Sequence, residues 1–394
     1  METAPLFAGR PPTVLQVLPA LGQGGVERGT VEVAAAVTAA GGRAIVASAG
    51  GMMEHALKRA GAEHVTLPLD SKNPLVMRGN VGRLVDLIKA EGVDVIHARS
   101  RAPAWSALPA ARRTGIHFVT TFHGTYNASW WGKRRYNAIM TRGERVIAIS
   151  RFIAGHMHKI YGTPASRIRV IHRGVDVARF DPAMVSAERV IKLARAWRLD
   201  EGLPVVMLPG RLTRWKGQTV FLDAVAELGR RDIRVLLVGS DQGRTGYRDE
   251  LESQIRHLDL GGVVRLVDHC DDMPAAYMLA DVVVSASTDP EAFGRVAVEG
   301  QAMGRPVVAT DHGGSRETVI EGETGWRVTP GDSAALAVGL GKALGLDPAA
   351  RHRMAARAVA NARDNFSTAV MCARVLAVYD EVLGVGPGPE PNLP

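Results

Sequence analysis

Residues Ser285–Gly325 read SASTDPEAFGRVAVEGQAMGRPVVATDHGGSRETVIEGETG. Just before them, Val282-Val283-Val284 has the pattern of a buried strand, and a polar loop closed by Pro290 follows. Val296, Val298, Ala302 and Met303 recur at the spacing of one helix face. Gly304 and Pro306 stop that helix. Pro306-Val307-Val308-Ala309 opens a second strand, followed by the turn His312-Gly313-Gly314. Strand, loop, helix, strand predicts a parallel crossover. In such a unit the strand-end loop and the helix start line a ligand crevice.

The stretch carries two carboxylates, Glu291 and Glu299, with seven residues between them. Along a helix that spacing is roughly 12 Å, about the reach from a transferred sugar to the ribose of a nucleoside diphosphate. Between them, Phe293, Gly294 and Arg295 sit at the helix N-terminus, whose backbone N–H groups and positive dipole end suit a diphosphate. Glu299 is expected to accept from ribose hydroxyls. Glu291 is expected to contact sugar hydroxyls and to face the positive charge developing at the anomeric carbon. Two surface acids flanking a helix start have the same spacing; the Gly, Phe and Pro context argues for a site.

The rest of the chain alternates in the same way. In the first half, strands are expected at Thr13–Pro19, Arg43–Ala47, His64–Leu67, Val93–His97, His117–Phe122 and Val146–Ile149, the last as the final strand there. Helices are expected at Val26–Ala40, Glu54–Ala60, Val81–Ala90, Ala102–Thr114 and Arg151–Tyr161. In the second half, Val205–Leu208, Val235–Gly239 and Val263–Leu266 read as strands. Gln218–Glu227, Tyr247–Leu258, Ser333–Leu344, Pro348–Asn365 and Thr368–Leu383 read as helices. This alternation predicts doubly wound parallel sheets.

With 394 residues the chain is long enough for two domains of about 150–200 residues each. At 46% hydrophobic and 22% charged it has the balance of a globular protein. No apolar run approaches the roughly 18 residues of a membrane span, and METAPLFAGRPP lacks the charged start and apolar core of a signal peptide. Cys270 and Cys372 make neither a disulfide framework nor a metal spacing, even with His269 beside Cys270. A cytoplasmic setting is expected. The net charge is +8, but residues 1–173 hold 23 Lys/Arg against 10 Asp/Glu. Between Arg99 and Arg173 the one acid is Glu144. Such a field favours an anionic partner: a charged membrane surface, a phosphorylated glycolipid or a nucleic acid. Trp130 and Trp131, beside Lys133, Arg134 and Arg135, suit the membrane interface or, equally, a place packed under the sheet. No recognised nucleic-acid motif interleaves the basic segment, so no nucleic-acid partner is expected.

The blocks ExFGxxxxE (Glu291 to Glu299), AMGRPVVATDHGGSRE and GETGWRV resemble the signature of the retaining glycosyltransferases of family 4, which are two-domain enzymes of the GT-B type. The likeness extends more weakly over nearly the whole chain. Gly300 departs from the family's usual Ala and is expected only to loosen the helix. The resemblance implies two Rossmann-like doubly wound domains facing a cleft, with the C-terminal helix crossing back to the first. It places an acceptor-side domain at residues 1–172 with the return helix 369–384 and a nucleotide-sugar domain at 173–368; the tail at 385–394 is Pro/Gly-rich and is expected to be disordered.

The resemblance also assigns roles. Gly24 and Gly25, in the loop LGQGG after the first strand, would face donor phosphate and acceptor, with Glu27 beside them. That loop lacks the GxGxxG spacing of a dinucleotide fingerprint. His123, at a strand's C-terminal end, would contact the donor sugar. Arg211 and Lys216, in GRLTRWKG, would hold the departing diphosphate. Arg173 stands where the family often has Asn, and its role is open. No two Asp are two apart, so a DxD metal site is absent and no metal or other cofactor is expected. The co-substrate would be a UDP- or GDP-sugar, and the acceptor a glycan or glycolipid of the bacterial cell envelope, as in lipopolysaccharide biosynthesis. The location implied is cytoplasmic, including the inner face of the plasma membrane as a peripheral site. Two rival readings are a GT-B sugar-nucleotide epimerase and a non-enzymatic basic protein that binds nucleic acid or membrane.

Overall fold

The computed structural model describes residues 11–199, 202–243 and 245–389. The readings made on residues 1–10 and on tail residues 390–394 fall outside it, and residues 385–389 form no helix or strand. Contacts divide the protein into two units. One is the chain up to Gly174 together with the chain from Thr368 onward; the other is Val175–Ser367.

The first unit runs β1 (Thr13–Val17), α1 (Gly25–Ala39), β2 (Arg43–Ser48), α2 (Glu54–Arg59), β3 (Glu63–Thr66), α3 (Pro74–Glu91), β4 (Val95–Ala98), α4 (Arg101–Thr114), β5 (His117–Phe122), α5 (Trp131–Asn137), β6 (Arg145–Ala148), α6 (Arg151–Tyr161) and β7 (Ile168–Val170). The second runs α7 (Ala187–Ala196), β8 (Val205–Pro209), α8 (Gln218–Leu228), β9 (Arg234–Val238), α9 (Thr245–His257), β10 (Val264–Val267), α10 (Met273–Leu279), β11 (Val282–Ser285), α11 (Arg295–Ala302), β12 (Val307–Thr310), α12 (Ser315–Thr318), β13 (Gly325–Val328), α13 (Ser333–Leu344) and α14 (Pro348–Phe366). The last helix, α15 (Thr368–Leu383), belongs to the first unit.

Each unit is a parallel sheet. The seven-stranded sheet has the order β3-β2-β1-β4-β5-β6-β7, and the six-stranded sheet β10-β9-β8-β11-β12-β13. The central strands are buried along their whole length, which is why they read as continuous apolar runs. In both sheets the direction of winding reverses once, between β1 and β4 and between β8 and β11. In an open α/β sheet, ligands bind beyond the carboxyl ends of the strands at such a reversal.

Three expectations need correction. β6 is not the last strand of its sheet: β7 pairs with it, Val146 opposite Ile168. The helix placed at Val81–Ala90 begins at Pro74, where the Asn73 side chain accepts from Leu75 N and proline takes the first turn. Gly300 does more than loosen α11. A Cβ there would stand 3.2 Å from Val283, so glycine lets the helix lie close on β11.

In the first unit α15 closes the core. Met371, Val375, Leu376 and Tyr379 pack with β1 and α1 residues such as Val14 and Val33. The Tyr379 hydroxyl is 2.7 Å from His97 Nδ1, and His97 Nε2 is 2.7 Å from Thr121 Oγ1, so the helix is bonded to β4 and through it to β5. At its far end Glu381 accepts from Arg145 Nε at 2.6 Å and Arg169 Nε at 2.9 Å.

Candidate active site

In the second unit the loops leaving β8 and β11 are seated on each other. Gly217 has φ +71°, and a Cβ there would come within 1.9 Å of Ala286 O, so only glycine fits. Thr288 N donates to Trp215 O at 2.8 Å. This contact carries Lys216 to Glu291: the Lys216 ammonium donates to Glu291 Oε1, and both side chains are mostly buried. Ser287 Oγ donates to the same carboxylate oxygen at 2.7 Å. Lys216 Nζ also lies 4.4 Å from the centre of the Trp215 ring.

The turn after β12 fixes the other side of the loop. Gly314 N donates to Glu291 O at 2.8 Å, and a Cβ at Gly314 would meet Phe293 O at 2.4 Å. The HGG run is therefore a backbone buttress for Glu291 and Phe293. The helix α11 starts at Arg295, with Gly294 as its left-handed cap at φ +85°. Glu291 thus lies in a loop ahead of the helix. The rise along a helix does not set its separation from Glu299, and the roughly 12 Å expected no longer follows. The Phe293 ring is packed on Phe366, with centroids 5.8 Å apart, so what Phe293 turns to the site is backbone.

Glu299, on α11, is 9% exposed, and its Oε2 accepts from the Tyr277 hydroxyl at 2.9 Å. Burial, then Glu299, holds that phenol well above its usual range, so it stays protonated and donates. Arg295 is near enough for its charge to act on the same phenol. Arg211 is exposed at its side chain, while its carbonyl accepts from Gln218 Nε2 at 2.9 Å. The structure thus joins Lys216 to Glu291 and gives Glu299 a partner of its own. Among the described residues no cluster of His, Cys, Asp and Glu is arranged to hold a metal ion.

In the first unit Gly24 caps α1, and the Glu27 carboxylate lies over it, where a Cβ would meet Glu27 Oε2 at 2.2 Å. The carbonyl of Gly25 accepts from Arg173 Nη1, and Arg173 Nη2 lies 3.3 Å from His123 Nδ1. Burial first, then Arg173, Arg99 and His97, push His123 well below the usual imidazole range. Arg173 therefore joins the glycine loop to His123.

Sequence reasoning missed Tyr277, Ser287 and Arg99. Arg99 follows β4 as His123 follows β5, and the strand-end rule that picked out His123 applies equally to it. Trp130 and Trp131 are 53% and 75% exposed and stand edge to face, which removes the reading that packs them under the sheet.

Two doubly wound parallel units, together with the likeness to solved glycosyltransferases given below, fit the two-domain α/β architecture of the GT-B type. Residues 23–179 match Glycosyltransferase Family 4, and residues 191–362 match Glycosyl transferases group 1. This chain belongs to the group 1 glycosyltransferases of family 4. It is similar to a glycosyltransferase of Rickettsia africae whose crystal structure is known, at 36% identity, covering 94% of this chain and 98% of that one, with a TM-score of 0.87. It is also similar to Anabaena Alr3699/HepE in complex with UDP and glucose, at 25% identity, covering 93% and 99%, with a TM-score of 0.80. A D-inositol 3-phosphate glycosyltransferase of Salinispora tropica is 33% identical over 263 residues. That match takes in 62% of this chain and 52% of the relative, so the chain spans about half the length of the curated relative.

Proposed function

We propose that this protein transfers a sugar from a nucleoside diphosphate sugar, in the first instance a UDP-sugar, to an acceptor hydroxyl with retention of anomeric configuration and without a metal. The observation that carries this is the Lys216–Glu291 pair at the β8/β11 switch point, beside an α11 that carries the buried Glu299. Likeness to the UDP- and glucose-bound Anabaena protein supports the choice of donor. Glu299, held by Tyr277, accepts from the ribose hydroxyls. Lys216 and Arg211 meet the charge that grows on the leaving diphosphate, with backbone at Phe293, Gly294 and Arg295 as a further donor set. Glu291, fixed by Ser287 and Lys216, orients the sugar and faces its positive charge. No side chain is given the role of nucleophile: the donor phosphate oxygen takes the acceptor proton as the hydroxyl attacks the same face. Gly24 and Gly25 approach phosphate and acceptor, and neutral His123 donates to a sugar oxygen.

The acceptor in this reading is a cell-envelope glycolipid or polysaccharide intermediate of the lipopolysaccharide type. It would be met by a protein lying on the inner face of the plasma membrane. The exposed Trp130–Trp131 pair beside Lys133, Arg134 and Arg135 supports this. No helix among the described residues is long and apolar enough to cross a membrane.

Thermal melting with a panel of UDP- and GDP-sugars tests the donor: the cognate donor raises the melting point, by an amount that grows with its concentration over its Kd. Turnover with that donor is expected to be unchanged in EDTA. No shift with any nucleotide sugar refutes the reading. Conversion of the donor to its epimer without acceptor favours the epimerase.

A further inference from the structure

The loop between β8 and α8 carries three cations, Arg211, Arg214 and Lys216, in three different settings. Arg214 is turned to α9: its guanidinium pairs with Glu250 and lies 5.1 Å from the centre of the Tyr247 ring. The Arg211 side chain is exposed. Of the three, Lys216 alone is mostly buried, at 14% side-chain exposure, and its ammonium meets both the Glu291 carboxylate and the ring of Trp215, 4.4 Å from the ring centre. The backbone that presents this ring is tied down on both sides. Trp215 O accepts from Thr288 N at 2.8 Å and from Thr288 Oγ1 at 3.4 Å. Thr288 O in turn accepts from His312 Nε2 at 3.2 Å. On the other side Gln218 Nε2 donates to Arg211 O at 2.9 Å, and Gln218 Oε1 accepts from the Tyr247 hydroxyl at 3.1 Å.

An ammonium has three N–H donors and no acceptor. Glu291 takes one of them. A carboxylate holds a cation by cancelling its charge, whereas the negative face of an indole attracts the cation and leaves its charge whole. Both members of the Lys216–Glu291 pair are mostly buried, so their attraction is little screened and parting them without a substitute is costly. Lys216 has to give up part of that contact if it is to meet a leaving diphosphate while Glu291 meets the sugar. A ring at 4.4 Å keeps a favourable contact for the ammonium through the exchange. It also restricts a flexible four-carbon stem that would otherwise be free to swing.

We propose that Trp215 is a positioning residue: its ring keeps the Lys216 ammonium charged and in place as the ammonium passes from Glu291 to the leaving diphosphate. The part played at a diphosphate rests on the transfer reading above; the hold of the ring on Lys216 does not.

UDP, which carries the full charge of the leaving group, and UMP, which lacks the second phosphate, are titrated by calorimetry into wild-type protein, Trp215→Leu and Trp215→Phe. The Leu change is repeated in Lys216→Ala protein to complete a double-mutant cycle. Trp215→Leu is expected to weaken UDP about three- to tenfold and UMP less than twofold. Trp215→Phe, which keeps an aromatic face, is expected to stay within about twofold of wild type. In the Lys216→Ala background the Leu change is expected to have almost no effect. Equal losses in the two backgrounds overturn the proposal, because the ring would then act apart from Lys216. So do equal weakening of UDP and UMP, a Phe variant as impaired as Leu, and no weakening by Leu. A second measurement needs no ring variant. In protein labelled at lysine Cε, the Lys216 ε-methylene signal, assigned by its loss in Lys216→Ala, is expected upfield of the other lysines through the indole ring current, and to stay upfield when UDP binds. A signal among the other lysines, or one that joins them on adding UDP, overturns the proposal. If the signal is upfield but neither UDP nor any nucleotide sugar binds wild type, the transfer reading falls and the hold on Lys216 stands.

Discussion

Replacing Tyr277 by Phe removes one oxygen from a fully buried ring and leaves its shape. The lost contact is a 2.9 Å hydrogen bond to Glu299, which is 9% exposed, so water cannot readily replace the donor. A hydrogen bond to a charged group contributes about 1.5–3 kcal/mol. Part of that loss appears as lower stability. The part that reaches ligand binding comes from loosening Glu299 in the position proposed to meet a ribose. About 1.4 kcal/mol of it weakens the nucleotide tenfold. Calorimetry with UDP and with 2′,3′-dideoxy-UDP separates the two parts. Tyr277→Phe is expected to weaken UDP about five- to thirtyfold, and the dideoxy nucleotide, which offers Glu299 no hydroxyls, less than twofold. Equal weakening of both nucleotides refutes the reasoning, because Tyr277 would then act through general packing, as its T-shaped contact with Phe180 also allows. No weakening of either refutes it too.

Lys216→Ala is expected to lower kcat about 10²- to 10³-fold, the range for removing one donor to developing charge, with UDP still bound; wild-type turnover refutes the assignment. Glu299→Ala is expected chiefly to raise KM for the donor, and an effect confined to kcat refutes the ribose role. His97 and His123 are both held well below the usual imidazole range by burial. Their contribution to stability is full above the unfolded value of about 6.5 and is lost as pH falls through their folded values. Melting temperature should therefore drop steadily from pH 7 toward pH 5, and a flat profile argues against it. Trp130→Ser with Trp131→Ser should reduce sedimentation with anionic vesicles several-fold while leaving the melting point within 2–3 °C, about the effect of a surface change; unchanged sedimentation removes the membrane proposal.

Both parallel sheets were legible because their central strands are buried, mainly apolar runs and the helices beside them carry a 3.6-residue stripe. Ser333–Leu344 and Thr368–Leu383 were placed with the bounds the structure has. What escaped lacked that pattern. The strand β7, IRV, is three residues long and has an arginine at its centre. The first turns of α3 depend on the Asn73-Pro74 cap rather than on apolar spacing. At the site, ExFGxxxxE pointed to both acids, but their environments come from contacts no spacing encodes. Lys216 and Glu291 are 75 residues apart and meet only because Gly217 lets one loop sit on another. Tyr277 reaches Glu299 from a separate helix. Arg99 and Arg173 converge on Gly29 from the ends of two strands, one of them the strand that sequence alone did not show.

The place of α15 sets the order in which this protein is completed during synthesis. The first unit lacks its closing helix until Thr368–Leu383 has been made, and all of Val175–Ser367 is translated before it. At 5–20 residues per second that interval is roughly 10–40 s. Through it, the surfaces awaiting Val375, Leu376 and Tyr379 stay open to water and to chaperones on the ribosome. A nascent chain arrested after Gly174 lacks the helix that completes its first unit.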